Sequence, residues 1–462
     1  MTSTTQSFID SLSKARDAFA GGPDWLQGLR GKAWTDAVAS GLPTTRHESF
    51  KFTSLRPLAA MEALLAETAP WELLSDYQAN QLRDLLDPAA LNLIFVDGVF
   101  AHELSGAGPE VSAEDAAALT RQLHVEDLLN ALQGTGGQQV KAALDRLAAA
   151  RKDLPVPLAF VAPQEHTLAN LNLAFLRDGA VIRVDRGSEI KTSVRLIHCQ
   201  SGRANTTFNR VIVLVEDSAQ IQLTECHLGT EAKQGGIVAF AAADLHMGAN
   251  SRVRHLRLIS QQANLHFSQV NAVVPASAAY HALTLNLSAR ISRQEAAVMV
   301  TGEGADVVLD SLATSNGDQV LDTQSIIDHR VPHTTSRQLH KSLLKDRSKS
   351  VFSGKIFVRK DAQKTAAFQQ SRSLLLSNDA EVDAKPQLEI EADDVRCSHG
   401  ATVAQLNPDE MFYLRSRGIP KAKAEAMLCD AFAAEICQSA GDAWFERLAK
   451  RELEKFFAGG QG

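Results

Sequence analysis

The sequence of 462 residues predicts a mainly β protein, in which a β-helix core lies between two helical regions. Three observations support this fold class. Short apolar runs rich in β-branched residues fill residues 155–406, where helical periodicity is nearly absent. A turn in which a small or acidic residue precedes alanine recurs within the same stretch. Apolar residues at helical spacing occupy residues 1–154 and return in residues 407–462.

The N-terminal region, residues 1–154, is predicted to be mostly helical, and an amphipathic helix is expected over Gln138 to Lys152. One β element interrupts it. The apolar runs Leu91 to Val96 and Val99-Phe100 flank Asp97-Gly98. Asp-Gly between apolar runs favours a two-residue turn, so we expect a β-hairpin here.

The middle region, residues 155–406, is best explained as a solenoid, because short strands alternate with a loosely repeated turn. The few Trp and Tyr residues are compatible with a narrow bore. The two longest intervals between turns have room for further turns whose sequence has diverged. A sandwich or barrel of this length fits less well. The alanines of the recurring turn are Ala180, Ala219, Ala249, Ala305, Ala362 and Ala380.

The C-terminal region, residues 407–462, shows clear helix signals. Asn407 is a favourable N-cap, and Pro408 suits the first helical position. Gly418 is expected to end this helix, and Gly441 to separate two further helices.

Composition excludes several functional classes. The 47 Lys and Arg against 54 Asp and Glu give a net charge of −7, which argues against a nucleic-acid partner. No run of 18 apolar residues and no secretory leader occur, so we expect a cytoplasmic protein without a membrane span. Five cysteines in a chain of this length indicate a reducing compartment rather than a disulfide framework.

No common enzyme signature is present, and no catalytic residue is predicted. The Gly-x4-Gly-Lys-Ser/Thr phosphate loop, the Gly-x-Ser-x-Gly elbow and the His-Glu-x-x-His helix are all missing. Gly302-x-Gly304 lacks a third glycine and is interpreted as a turn.

Cysteine and histidine lie close together at three positions. His198-Cys199 and Cys226-His227 are adjacent, so on a strand the two side chains of each pair point to opposite faces. We interpret these cysteines as buried thiols in the bore. Cys397 and His399 are two residues apart and would share one face, where sulfur and imidazole suit iron, zinc or iron–sulfur chemistry. A solvated strand end explains them equally well, and two ligands need others from elsewhere.

Two further features are weaker. Asp393-Asp394 is interpreted as a solvated turn rather than a cation site. The charges of Arg415 and Arg417 complement a helix C-terminus, and docking to an acidic partner is the alternative.

Two segments resemble the signature of the SufB/SufD family of iron–sulfur cluster assembly proteins. They are Leu388 to Thr402, which holds Cys-Ser-His-Gly-Ala-Thr, and Phe412 to Ile419. Phe352 to Ile356 and Glu48 to Thr53 also resemble family elements. The Cys-Ser-His form is similar to the SufD type. Ser371 stands where SufB-type chains carry a cysteine.

The resemblance implies a right-handed parallel β-helix that pairs with SufB through its C-terminal end and docks the SufC ATPase through its C-terminal helices. ATP would then act through SufC only. Reduced flavin would act at the level of the whole complex. The resemblance also implies that His399, with Cys397 beside it, holds iron or a nascent cluster transiently, in a site shared with SufB. SufC docking is expected at Arg415, Arg417, Gly418 and Ile419.

Two other functions stay open from the residues. One is a SufB-like homodimeric scaffold that holds a cluster itself, and a homodimer is also an expected state of the chain alone. The other is a β-helical carbohydrate-active enzyme, against which the 6% aromatic content and missing leader argue.

Overall fold

The computed structural model describes residues 7–16, 22–65, 70–134, 137–152, 163–176, 178–228 and 236–458. Most of the chain forms a parallel β-solenoid of about seven turns, with helices before and after it. The predicted β-helix fold with flanking helices is therefore confirmed. Its right-handed sense and the three region boundaries stay predictions, and the boundary at residues 154–155 lies outside the described residues.

The N-terminal region is mostly helical, and the predicted hairpin is present. Strands β1 (Leu91–Val96) and β2 (Val99–Phe100) pair antiparallel around Asp97 and Gly98, which have φ of 50° and 86°. Two short strands follow, β3 (Gly106–Ala107) and β4 (Leu123–Asp127). The helices of this region are α1 (Ser7–Ala15), α2 (Asp24–Ser40), α3 (Arg56–Ala59), α4 (Asp76–Arg83), α5 (Ala113–Gln122), α6 (Leu128–Gln133) and α7 (Gly137–Lys152). A further helix, α8 (Thr167–Ala174), lies within residues 155–406, ahead of the solenoid strands, where the sequence showed little helical periodicity.

The solenoid is built from strands that run in register from one turn to the next. They are β5 (Gly179–Val184), β6 (Val194–Cys199), β7 (Thr206–Val215), β8 (Gln220–Leu228), β9 (Val238–Met247), β10 (Arg252–Val274), β11 (Ala279–Val300), β12 (Asp306–Ser315), β13 (Val320–His329), β14 (Thr335–Leu344), β15 (Lys349–Val358), β16 (Ala366–Leu375), β17 (Glu381–Ile390) and β18 (Arg396–Gln405).

The parallel ladders form two sheets that enclose the bore. The first sheet contains β1, β6, β8, the start of β10 and of β11, β12, β14, β16 and β18. The second contains β5, β7, β9, the later parts of β10 and β11, β13, β15 and β17. The hairpin strand β1 thus starts the first sheet, a pairing that the sequence did not predict.

One corner of the solenoid repeats closely, and it explains the irregular alanine intervals. Six residues, 27 to 32 positions apart, adopt left-handed φ between 56° and 73°. Each is followed by a small buried residue, which is alanine only in some turns. The two longest intervals do hide turns, at Ser277 and His333, so the feature that repeats from turn to turn is the backbone conformation. The left-handed residues are Ser218, Asn250, Ser277, Gly304, His333 and Lys364.

Helices cover the outside of both sheets. Phe8 of α1 and Phe175, just after α8, pack with Phe240 and Phe267 of the second sheet. The C-terminal helices are α9 (Pro408–Ser416), α10 (Lys421–Cys437) and α11 (Ala443–Ala458). The last two fold back over the first sheet, whose outward leucines contact Ile436, Phe445 and Leu448. Among the described helices, none is both long and apolar enough to cross a membrane.

Candidate functional site

The C-terminal end of the solenoid is open. Strand β17 pairs with β15 and β18 pairs with β16, and no strand of the described chain lies beyond them. Most residues of β18 are exposed, whereas alternate residues of β16 beneath it are buried. This end therefore presents two strand edges with unpaired backbone N–H and C=O groups.

Cys397 and His399 lie on the bore-facing side of the final turn. In β16, Ala367, Gln369 and Ser371 are buried in the bore, and the residues between them face out. The parallel register aligns Cys397 with Ala367 and His399 with Gln369. Since aligned residues of parallel strands point to the same side, the thiol and the imidazole project together over the open end.

The two side chains differ in exposure. Cys397 is half-buried against the apolar core of the bore, and burial raises the pKa of its thiol. It is therefore a neutral thiol until a metal ion or a positive charge favours the thiolate. His399 is exposed, and its ring nitrogens make no hydrogen bond that involves the described residues.

The site is incomplete within the described chain. No three His, Cys, Asp or Glu side chains of the described residues are grouped so that they could hold a metal ion. Asp393 and Asp394 precede β18 and are exposed, and Asp394 pairs with Lys364, as expected for a solvated turn. Cys397 and His399 thus offer two ligands and an open side.

Buried glutamines lie directly beneath His399. The register stacks Gln338, Gln369 and His399 on three successive turns. The Gln369 amide donates from Nε2 to Oε1 of Gln338 at 2.8 Å, and Gln338 Nε2 donates to Ser325 Oγ at 2.7 Å. Sequence reasoning missed this column, because the spacing between turns is visible only once their length is known.

Gly354, within the Phe352-to-Ile356 segment, makes room for the column. A Cβ at this position would lie 2.7 Å from the Phe352 ring and closer still to the Gln369 amide nitrogen. The segment that sequence analysis singled out therefore has a packing role next to the candidate site.

The helix α9 forms a second exposed feature. All its residues are described and none is buried, and Phe412 and Tyr413 are 74% and 57% exposed. A groove of about 710 Å³ lies between this helix and the ends of β16 and β18, and Arg415 lines it with Met411 and Phe412. Asn407 caps α9 as predicted, because its side chain accepts from the Asp409 N–H at 2.9 Å.

The structure places only some of the four residues predicted for docking in this groove. Arg415 lies in it, whereas Arg417 extends over the Tyr413 ring with its guanidinium 5.3 Å from the centroid. Gly418 has φ of 81° just after α9, and the Ile419 N–H donates to the Leu414 carbonyl at 3.3 Å. These four residues follow one another around the C-terminal end of α9.

The adjacent cysteine–histidine pairs do point to opposite faces, but the assignment of their thiols to the bore is wrong. Cys226 packs beneath the C-terminal helices, and Cys199 packs outside β1. The histidines face inward instead, where His198 stacks on His227 with centroids 4.4 Å apart. Burial raises the pKa of both thiols to about 12, so they are unreactive.

The bore also contains a buried charged cluster that the sequence did not reveal. Glu225 lies 3.0 Å from Arg257, 3.3 Å from His255 and 3.4 Å from His227. Burial opposes ionisation of Glu225, but attraction to His255 and Arg257 outweighs it and holds the pKa of this carboxyl well below its usual range. Burial also keeps the pKa of His198 well below its usual value.

Fold and site together define a β-helical protein with a thiol and an imidazole at an open end. Residues 198–432 match the family model described as "SUF system FeS cluster assembly, SufBD core domain". This chain belongs to the SufBD family of iron–sulfur cluster assembly proteins.

Individual relatives extend the match over most of the chain. An iron–sulfur cluster assembly SufBD family protein of Synechocystis is 31% identical over 407 residues, 86% of this chain and 83% of the relative. The assembly protein SufD of Escherichia coli is 28% identical over 435 residues, 92% and 91% of the two chains. SufD of Bacillus subtilis is 27% identical over 287 residues, 59% and 62% of the two chains.

Proposed function

We propose that this chain is a SufD-type, non-catalytic subunit of a cytoplasmic complex with SufB and SufC, and that it helps to assemble iron–sulfur clusters. One observation carries the proposal. Cys397 and His399 project together from an open end at which the described chain offers no third ligand. Likeness to proteins named SufD supports the choice of subunit type.

SufB is the proposed partner at the open end. The free edges of β17 and β18 suit pairing with strands of another chain, and apolar Ile390 and Val403 are 42% and 50% exposed beside them. A SufB chain bound here would supply the missing ligands. His399, with Cys397 beside it, would then hold iron or a nascent cluster transiently, since imidazole and thiolate both ligate iron.

SufC is the proposed partner at helix α9. An exposed helix with Phe412 and Tyr413, a groove next to it and arginines at its end form a surface suited to binding another protein. Arg415, Arg417, Gly418 and Ile419 belong to this proposed surface. ATP would act through SufC, because the chain has no phosphate loop, and reduced flavin would act at the level of the complex.

Co-expression with SufB and SufC tests the proposal. We expect a complex that contains all three chains, and we expect His399→Ala to lower its cluster content while leaving its stoichiometry unchanged. Ser398→Ala is the matched control, because Ser398 adjoins His399 but faces out of the bore. Native mass spectrometry gives the stoichiometry, and iron and sulfide analysis gives the cluster content.

Three outcomes would contradict parts of the proposal. Unchanged cluster content in His399→Ala would remove this residue from the site. Failure of SufC to associate would refute the subunit assignment. A stable stoichiometric cluster on the isolated chain, seen by absorption and Mössbauer spectra after anaerobic reconstitution, would favour a SufB-like homodimer instead.

A further inference from the structure

We propose that Gln369 is the positioning residue for His399, and that its side-chain carbonyl accepts the N–H of one imidazole nitrogen. The other ring nitrogen then keeps its lone pair for a metal ion at the open end. The role for the metal rests on the proposed function above, whereas the hydrogen bond itself does not.

The orientation of the Gln369 amide is the first observation. The side chain is 1% exposed, and its Nε2 is committed to Gln338. Gln338 is held in turn by Ser325, and Gly354 leaves the space that the amide fills. The side chain of Gln369 is therefore not free to rotate, and its carbonyl oxygen points in one fixed direction.

The unused acceptor is the second observation. Oε1 of Gln369 is buried and has no hydrogen-bond partner among the described residues. A buried amide oxygen without a hydrogen bond destabilises the folded protein, so such an atom calls for an explanation. His399 is the aligned residue on the next turn, about 4.8 Å away along the ladder, within reach of an imidazole N–H.

The chemistry of imidazole connects the unpaired oxygen of Gln369 with metal binding by His399. A neutral histidine carries one N–H and one lone pair, and the hydrogen bond made by one nitrogen decides which nitrogen is free. Histidine ligands of metals usually donate the second N–H to a carbonyl or carboxylate, and loss of that acceptor weakens binding or activity about 10- to 100-fold. Gln369 is the buried acceptor aligned with His399.

The first test reads the tautomer of the isolated chain, with no metal or partner. Long-range ¹H–¹⁵N correlation spectra of ¹⁵N-histidine-labelled protein at pH 8 report the protonation of each ring nitrogen, and His399→Gln assigns the signal of His399. We expect one dominant tautomer in the wild type and a mixture in Gln369→Met. Unchanged nitrogen shifts in Gln369→Met would refute the hydrogen bond.

The second test measures cluster content in the co-expressed complex. We expect Gln369→Met to lower it about 10-fold. Gln369→Glu should stay within about threefold of the wild type, because a buried glutamic acid is neutral and keeps an O–H for Gln338 and a carbonyl oxygen for His399. Ser373→Ala, a buried bore-facing change on the same strand, should have no effect. Equal losses in the Met and Glu variants would mean a packing role and overturn the inference.

The two tests separate this inference from the proposed function. If His399→Ala leaves cluster content unchanged while Gln369→Met still shifts the tautomer, the hydrogen bond stands and the proposed function fails. If His399→Ala lowers cluster content but Gln369→Met changes neither readout, only the positioning role fails.

Discussion

Single residues in the bore are held in one protonation state by burial. His340 stacks on Phe352 with ring centroids 4.7 Å apart, and its Nδ1 lies 2.7 Å from Ser311 Oγ. Burial lowers the pKa of His340 to about 3 and that of His329 to about 4. The native protein therefore keeps both imidazoles neutral at pH values where the unfolded chain protonates them.

This difference predicts that stability falls as pH drops below about 6.5. Between that value and the native pKa, the unfolded chain binds a proton that the native chain does not, which removes up to about 1.4 kcal/mol per pH unit per histidine. His340→Gln should therefore lose about 1 kcal/mol less than wild type between pH 6 and pH 5. Urea unfolding across this range measures the slope, and a slope in His340→Gln equal to that of the wild type would contradict the prediction.

Gly354→Ala tests the packing around the glutamine column. The added Cβ would overlap the Phe352 ring and the Gln369 amide, so we expect a loss of about 1–3 kcal/mol in unfolding free energy. Gly400→Ala, where no atom lies within 4 Å of the new Cβ, should stay within about 0.5 kcal/mol. Adding Gln369→Ala to Gly354→Ala should recover part of the loss, and additive losses would contradict the overlap.

At the residue scale, the sequence predicted those side-chain directions that follow from the alternation of the two faces along a strand. Cys397 and His399 share a face because β18 is extended, as their spacing indicated. The outward direction of Cys199 and Cys226 could not be predicted, because both faces of these strands are buried and alternation in polarity is lost.

At the scale of elements, the repeated corner of the solenoid is defined by backbone conformation and backbone hydrogen bonds rather than by residue type. The N–H of Ser277 donates to the Glu303 carbonyl at 2.8 Å, and that of His333 donates to the Gln363 carbonyl at 2.9 Å. Serine, asparagine, glycine, histidine and lysine all occupy the left-handed position. Because the repeat lies in the backbone conformation and several residue types can adopt it, the alanines of the turns are unevenly spaced in the sequence.

Helix α9 depends on its cap more than on packing, because none of its residues is buried. We predict that Asn407→Ala destabilises this helix by about 1 kcal/mol while leaving global unfolding nearly unchanged. Hydrogen exchange of residues 408–416 should accelerate, and exchange within α10 should not. An Asn407→Asp variant keeps a capping oxygen and serves as the control; faster exchange there as well would argue against capping.

For the whole molecule, buried ion pairs tie distant segments to the solenoid. Arg293 lies 2.6 Å from Asp322, donates to the Ser49 carbonyl at 2.6 Å and stacks 3.9 Å from the centroid of the Phe50 ring. Thr53 Oγ1 donates to the same aspartate at 2.7 Å. The Glu48-to-Thr53 segment, noted for its resemblance, thus anchors the N-terminal region to the second sheet.

Removal of this arginine should destabilise the whole chain. Arg293→Met leaves Asp322 buried without its charge partner, so we expect a loss of about 3–5 kcal/mol, measured by urea unfolding. Arg347→Met breaks an exposed pair with Asp318 and should lose no more than about 1 kcal/mol. Similar losses in the two variants would show that the buried network does not hold the N-terminal segment.

The overall architecture was predictable in outline but not in its long-range pairings. Strand composition indicated a solenoid, and helical periodicity indicated both flanking regions. The entry of β1 into the first sheet depends on contacts between residues about 100 positions apart, and nothing local in Leu91 to Val96 specifies them. The buried cluster around Glu225 likewise forms only when two turns stack, because its residues lie on β8 and β10.

The open end has a thermodynamic consequence. Each interior turn of a solenoid rests on a neighbour on both sides, whereas the final turn, formed by β17 and β18, rests on one. In a nearest-neighbour description this turn is a free boundary, and its opening requires the least free energy. Any protein that packs there supplies the missing neighbour, so ordering of the Cys397–His399 turn and recognition of that protein become one linked equilibrium.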